Sequence, residues 1–169
     1  MKSKSKKLAY LLRHDKTYSF DKYGWRKVED LIVNHHFTMD GLKDIVLNND
    51  KHRFEFSDGM ECIRACQGHS IEVDVELLAS SSPPLLLYHG TSVNSLVSIQ
   101  QHGIHRGKRL YVHLSETIND AVQVGSRHGS PVVLQVDSCR MFNDGYKFYY
   151  SRNGIWLTEF VPSQYIALT

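Results

Sequence analysis

The sequence predicts an α+β chain made of two small lobes, and three observations carry that reading. Residues 1–80 hold three apolar runs at helical spacing and then a strand–turn–strand pattern. Leu78-Ala79-Ser80-Ser81-Ser82-Pro83-Pro84 next breaks the chain with a triple serine and a double proline, which disfavour helix and sheet alike. Beyond the break, short β-branched strands alternate with short helices. A length of 169 residues, at roughly 150 per domain, allows one domain or two small ones. The lobes are drawn at 1–80 and 81–169.

Leu8, Leu11 and Leu12 share one face of a first helix. Trp25, Val28, Leu31 and Ile32 mark a second after a break at Gly24, and Leu42, Ile45 and Val46 a third that Thr38 or Asp40 can cap. Arg53-Phe54-Glu55-Phe56 alternates polar and apolar, Ser57-Asp58-Gly59 turns, and Cys62-Ile63-Arg64-Ala65-Cys66 returns. Three helices followed by a two-stranded wing is the plan of a winged-helix module, a frequent nucleic-acid binder. A fold alone does not assign a function.

In the second lobe 85–88 reads as a buried strand, 93–101 as a helix closed by Gly103, and 110–114 as a strand. Ile118, Ala121 and Val122 mark a helix opened by Ser115 or Thr117. Residues 131–137 form a β-branched strand, with further strands near 147–150, 155–158 and 165–168, and a hairpin turn at Asn153-Gly154. A cleft is expected between the lobes.

Hydrophobic residues make up 41% and charged residues 22%, which excludes disorder, collagen and coiled coil. Apolar runs such as Leu85-Leu86-Leu87-Tyr88 fall far short of the roughly 20 residues of a membrane helix. Met1 to Lys7 is basic but lacks the apolar stretch of a signal peptide, and three cysteines suggest no disulfide framework. A cytoplasmic protein without membrane contact is expected. The net charge of +2 hides an asymmetry: residues 1–30 hold nine cations and four acids, residues 31–80 four cations and nine acids. A basic opening segment of this kind is either a contact surface for an anion or a solvated helix start.

Several short motifs carry chemistry. Arg13-His14 closes the first helix, where cations also complement the macrodipole. Arg64, in a strand among small residues, could be a phosphate fork or an outward-facing wing residue. Cys62, Cys66 and His69 match no strong zinc spacing and lack a fourth ligand, so no metal is expected. His89 and His113 each end a strand, with Thr91 and Ser115 two positions on; neutral imidazoles and hydroxyls suit ribose hydroxyls and carboxamides. Gly90 would permit close backbone approach, and free amides ahead of the next helix would favour a diphosphate. The dinucleotide fingerprint Gly-x-Gly-x-x-Gly is absent, and so is the Gly-x-Ser-x-Gly elbow of a serine hydrolase. Arg127-His128-Gly129 closes the helix that follows Ser115.

Taken in order, these motifs resemble one family, the NAD-dependent RNA (tRNA) 2′-phosphotransferases. The matching pieces are Leu12-Arg13-His14, Gly24-Trp25 with Val28, Ile63-Arg64-Ala65 with Gln67-Gly68-His69-Ser70, Tyr88-His89-Gly90-Thr91, Val112-His113-Leu114-Ser115, Gly125-Ser126-Arg127-His128-Gly129 and Asn153-Gly154-Ile155-Trp156-Leu157-Thr158. Cys66 departs from the pattern, which usually has asparagine there.

The resemblance implies a winged-helix lobe packed against an ADP-ribosyltransferase-like β-sandwich lobe with an NAD cleft. It implies that an internal RNA 2′-phosphate, of the kind left at tRNA splice junctions, is transferred to NAD in two steps. Arg13, His14, Arg64 and Arg127 would be the catalytic set; His89, Gly90, Thr91, His113, Leu114, Ser115 and Ile155 would hold NAD. A monomer with no obligate protein partner is expected. The rivals are a transferase that ADP-ribosylates nucleic-acid ends or a protein, and a winged-helix nucleic-acid binder whose second lobe is inactive.

Overall fold

Helices and short strands share the computed structural model, which describes residues 2–18, 21–49, 52–71, 73, 82–151 and 153–169. The architecture is α+β, in two compact units, Met1–Glu76 and Leu77–Thr169. Of the expected break at 78–84, residues 78–81 lie outside the described residues, as does the 80/81 boundary.

The first unit runs α1 (Lys2–Arg13), β1 (Arg26–Lys27), α2 (Val28–His35), α3 (Met39–Leu47), β2 (Phe54–Phe56) and β3 (Cys62–Ala65). Leu8, Leu12, Leu31, Leu42, Phe54 and Ile63 fill its core. Thr38 caps α3 by accepting from the Gly41 amide at 3.1 Å. Trp25 was expected inside the second helix but lies ahead of β1. Asp21 Oδ1 accepts from the Tyr23 and Trp25 amides, Gly24 turns at φ +79°, and the chain leaves extended to pair Arg26 with Ile63. β1 therefore adds a third strand to the β2–β3 hairpin, in the order β1-β3-β2.

Arg26 is 2% exposed, and its burial is tolerable because its donors are used. It donates to Asp15 Oδ2 at 3.0 Å, Asp30 Oδ2 at 2.6 Å and the Leu11 carbonyl at 3.0 Å, and its plane lies 3.8 Å from the Tyr18 ring centre.

The second unit holds β4 (Leu87–Ser92), α4 (Leu96–His102), β5 (Ile104–His105), β6 (Val112–Leu114), α5 (Ile118–Gly125), β7 (Pro131–Val136), α6 (Ser138–Asn143), β8 (Tyr149–Tyr150), β9 (Trp156–Thr158), β10 (Phe160–Val161) and β11 (Ile166–Leu168). Three antiparallel sheets have the orders β11-β7-β4, β6-β9-β8 and β10-β5. A bridge between Tyr88 and Ser115 ties β4 to the end of β6. Thr117 caps α5 by accepting from the Asp120 amide, and Gly103 closes α4 at φ +79°.

Two local expectations shift. The strand expected at 85–88 begins at Leu87, with Leu85 74% exposed, and runs on through Ser92. Only Leu87 of the triple leucine reaches full burial, so the apolar run overstated the strand's start. Helix α6 was not expected; Asp137 caps it by accepting from the Arg140 amide.

Candidate active site

In the first unit the end of α1 is covered by the segment after β3. The Ser70 and Ile71 amides donate to the Arg13 carbonyl at 2.8 and 3.3 Å, satisfying an acceptor that the helix leaves open. His14 Nδ1 pairs with Ser70 Oγ at 2.8 Å. Gly68 sits at φ +88°, and a first side-chain carbon there would stand 3.3 Å from Arg13 Cζ and Nε, so the guanidinium lies against bare backbone.

Arg64 is 4% exposed on β3. It is opposite Glu55 in register, donates to Glu55 Oε1 through Nε at 2.6 Å and Nη2 at 2.5 Å, and lies 4.2 Å from the Trp25 ring centre. Carboxylate on one side and indole on the other leave the fork little freedom.

His69 is the hub of this group. It is 4% exposed and its Nε2 finds no hydrogen-bond partner among the described residues. Burial first, and then the charges of Arg13, His14 and Arg64, push its imidazole down to about 4, so it is neutral at pH 7. Arg13, His14 and Arg64, the residues expected from sequence, thus gather around one neutral histidine. Such a concentration of positive charge, with Glu55 as the acid paired to it, is suited to a phosphate.

In the second unit His89 stands on β4 and His113 on β6. His89 Nδ1 donates to the His113 carbonyl at 3.1 Å. Burial holds the His89 imidazole below its ordinary range; the hydrogen bond to His113 opposes this and the His128 charge adds to it. Arg109, which sequence reasoning did not single out, donates through Nη1 to His113 Nδ1 at 2.9 Å. Partial desolvation and then the nearby Arg127 charge lower the Arg109 pKa. Arg127 is exposed on the turn that leaves α5.

Gly90 and Thr91 lie within β4 rather than in a loop after it, and their neighbours are protein. A side chain at Gly90 would put its first carbon 1.7 Å from the Ala121 carbonyl oxygen, and one at Gly125 would come within 2.7 Å of the Thr91 carbonyl oxygen. The bare backbone at Gly90 therefore seats α5 on β4. The amide of Val93, expected to be free at a helix start, donates to the Ser130 carbonyl. Ser115 is buried and exchanges backbone hydrogen bonds with Tyr88, whereas Leu114 is 1% exposed and turns its side chain into the core. Ile155 is half-buried, its amide donating to Ser151 Oγ at 3.0 Å beside the Gly154 turn. The second unit thus brings His89 and His113 together, with Arg109 as the link towards Arg127.

Glu55 was not singled out from the sequence; the hairpin register that sets it opposite Arg64 is the signal that could have found it. Arg109 had a weaker signal, a cation four residues ahead of the strand-end histidine. Among the described residues, no group of three or more His, Cys, Asp or Glu could hold a metal ion.

A family model described as RNA 2′-phosphotransferase, Tpt1/KptA family, matches residues 1–160. Proteins named "Probable RNA 2′-phosphotransferase" are similar along nearly their whole length. That of Acaryochloris marina is 42% identical over 173 residues, covering 98% of this chain and 95% of its own. That of Pectobacterium atrosepticum is 43% identical, covering 96% and 94%, and that of Flavobacterium johnsoniae 43%, covering 98% and 94%. These are transferases by name. The chain belongs to the RNA 2′-phosphotransferase, Tpt1/KptA family.

Proposed function

We propose that this protein removes an internal 2′-phosphate from RNA by transferring it to NAD, in the manner of a tRNA splice-junction 2′-phosphotransferase. The observation that carries the reading is the convergence of Arg13 and His14, at the end of α1, with Arg64, on β3, around neutral His69. On this reading the first unit is a winged-helix RNA-binding lobe and the second an ADP-ribosyltransferase-like NAD-binding lobe.

The second unit suits an anionic dinucleotide. His89 and His113 would contribute their imidazoles and Ser115 its hydroxyl, and neither Arg109 nor Arg127 is ion-paired to a described carboxylate. Leu114 and Gly90 would contribute backbone and shape, Thr91 and Ile155 the flanks. NAD supplies an electrophilic C1″ and a good leaving group, nicotinamide.

A phosphate is already anionic at pH 7, so its attack on C1″ needs orientation rather than a general base. Two anions about 4 Å apart repel by about 1 kcal/mol in water, and more where water is excluded. Arg13, His14 and Arg64 would offset that charge and hold the phosphate. The phosphate oxygen bonds to C1″ as nicotinamide departs with the electron pair of the glycosidic bond. The ribose 2″-hydroxyl then displaces the RNA 2′-oxygen from phosphorus, its proton passing to the RNA to restore a 2′-hydroxyl, and ADP-ribose 1″,2″-cyclic phosphate is released. Arg127 would stabilise the charge that grows on the phosphorus oxygens in this second step.

The test is incubation with NAD and an RNA bearing one internal 2′-phosphate. Nicotinamide, 2′-hydroxyl RNA and the cyclic phosphate are expected in equal amounts. Arg64→Ala should slow the first step, and Arg127→Ala should let the ADP-ribosylated RNA phosphate accumulate. Modification of RNA ends or protein without phosphate removal would favour the rival transferase, and RNA binding without NAD consumption the inactive binder.

A further inference from the structure

We propose that Glu116 is a positioning residue for the dinucleotide: it bridges a fork between two strands and so sets the spacing of Ser115 and Ile155. The proposal rests on the NAD reading of the second unit, which gives both of those residues to the dinucleotide. β6 and β9 pair from Val112 opposite Thr158 to Leu114 opposite Trp156. One step further, that register would set Ser115 against Ile155 and Glu116 against Gly154. The ladder ends there because both backbones turn to other partners. Ser115 exchanges amide and carbonyl bonds with Tyr88 of β4, at 2.8 and 2.9 Å. The Ile155 carbonyl accepts from the Ser151 amide at 2.8 Å, and its amide donates to Ser151 Oγ at 3.0 Å. The chain therefore forks at Ser115 and Ile155.

Glu116 reaches back across this fork. Its Oε1 accepts from the Trp156 indole Nε1 at 2.9 Å, a charge-assisted bond from a group that can only donate. The Tyr150 ring, opposite Trp156 on β8, packs against that indole with ring centres 4.8 Å apart. Burial first, and then the charge and hydrogen bonding of Glu116, raise the Tyr150 pKa, so the phenol stays neutral beside the carboxylate. Leu114 and Trp156 are anchored in the core, whereas Glu116 is exposed. Loss of the carboxylate should therefore loosen the fork without unfolding the unit. A preset spacing spares a ligand the cost of ordering both walls itself.

The test combines titration calorimetry with NAD alone, steady-state turnover, and the ¹⁵N–¹H signal of the Trp156 indole, assigned by its loss in Trp156→Phe. Glu116→Ala should shift the indole signal, weaken NAD binding about ten-fold, and raise the KM for NAD by more than it lowers kcat. Glu116→Gln, which still offers an acceptor, should restore most of each. Trp156→Phe keeps an aromatic ring but loses the donor, so it should weaken binding by a similar factor, and the double variant should be no worse than either single one. A Glu116→Ala protein that binds NAD as tightly as the wild type overturns the proposal, as do single effects that multiply in the double variant. If Glu116→Ala does not fold, Trp156→Phe decides, and unchanged NAD binding there is the overturning result. A wild type without affinity for NAD overturns the dinucleotide reading itself, and the role of Glu116 with it.

Discussion

Glu55 touches no substrate in the proposed scheme, yet the position of Arg64 depends on it. Both Nε and Nη2 of that guanidinium are aimed at one carboxylate oxygen, while Trp25 covers its face. Glu55→Gln keeps the shape but replaces a charge-assisted pair with a neutral one, at a cost of about 1.5 kcal/mol in orientation, or roughly ten-fold in rate. Single-turnover measurement of nicotinamide release should show that loss, with the KM for NAD unchanged. Arg26 sets a second expectation. Burial raises the Asp15 pKa, but hydrogen bonds from Thr17 and Arg26 outweigh it, and Asp30 is likewise lowered, by Asn34 and Arg26. A carboxylate lowered in the folded state stabilises above its unfolded pKa, near 4, and that stability is lost as pH falls through the lower folded value. Asp15→Asn should therefore cost about 2 kcal/mol at pH 7, a gap that narrows below about pH 4 in thermal unfolding followed against pH. Of these roles, Arg13, His14 and Arg64 were legible as motif residues. The neutrality of His69 was not, because it comes first from burial and then from charges of which Arg13 and His14 lie in a distant segment.

Among the elements, the seat of α5 on β4 is the least tolerant. At Gly90 a methyl would overlap the Ala121 carbonyl oxygen at 1.7 Å, and backbone on both sides leaves no flexible group to yield. Gly90→Ala should destabilise by about 3 kcal/mol, read as a lowered midpoint in denaturant unfolding with near-UV signal lost from the second unit. Periodicity located α1, α3, β7 and the β2–β3 hairpin, because each buries one face against a single core. It misplaced the entry to α2, where Asp21 and Gly24 dictate an extended chain at Trp25 regardless of apolar spacing. It ended β4 early because His89, Gly90 and Thr91 look polar or flexible. The ladder to β7, from Leu87 opposite Val136 to Ser92 opposite Pro131, holds them extended.

At the scale of the whole chain, arginines are spread over both units. If arginines supply the charge that phosphoryl transfer needs, dialysis against a chelator should leave turnover with NAD and 2′-phosphorylated RNA within about two-fold of the untreated enzyme. A strict demand for added magnesium would reassign the charge-bearing role. The chain-wide order of motifs was enough to place the protein in its family. Register and reach were not readable from that order: the facing of Glu55 and Arg64, or the four-residue step from Arg109 to His113, exists only once strands pair.

The Gly90–Gly125 seam has one more effect. It joins the strand bearing His89 to the helix whose exit carries Arg127, with only main-chain atoms between them. Engineering that aims to admit a bulkier acceptor by shifting this arginine would have to re-cut both surfaces at once. Neither glycine can compensate for a side chain at the other, because both already lack one and face main chain; a new spacing requires the strand and the helix to move apart as backbones.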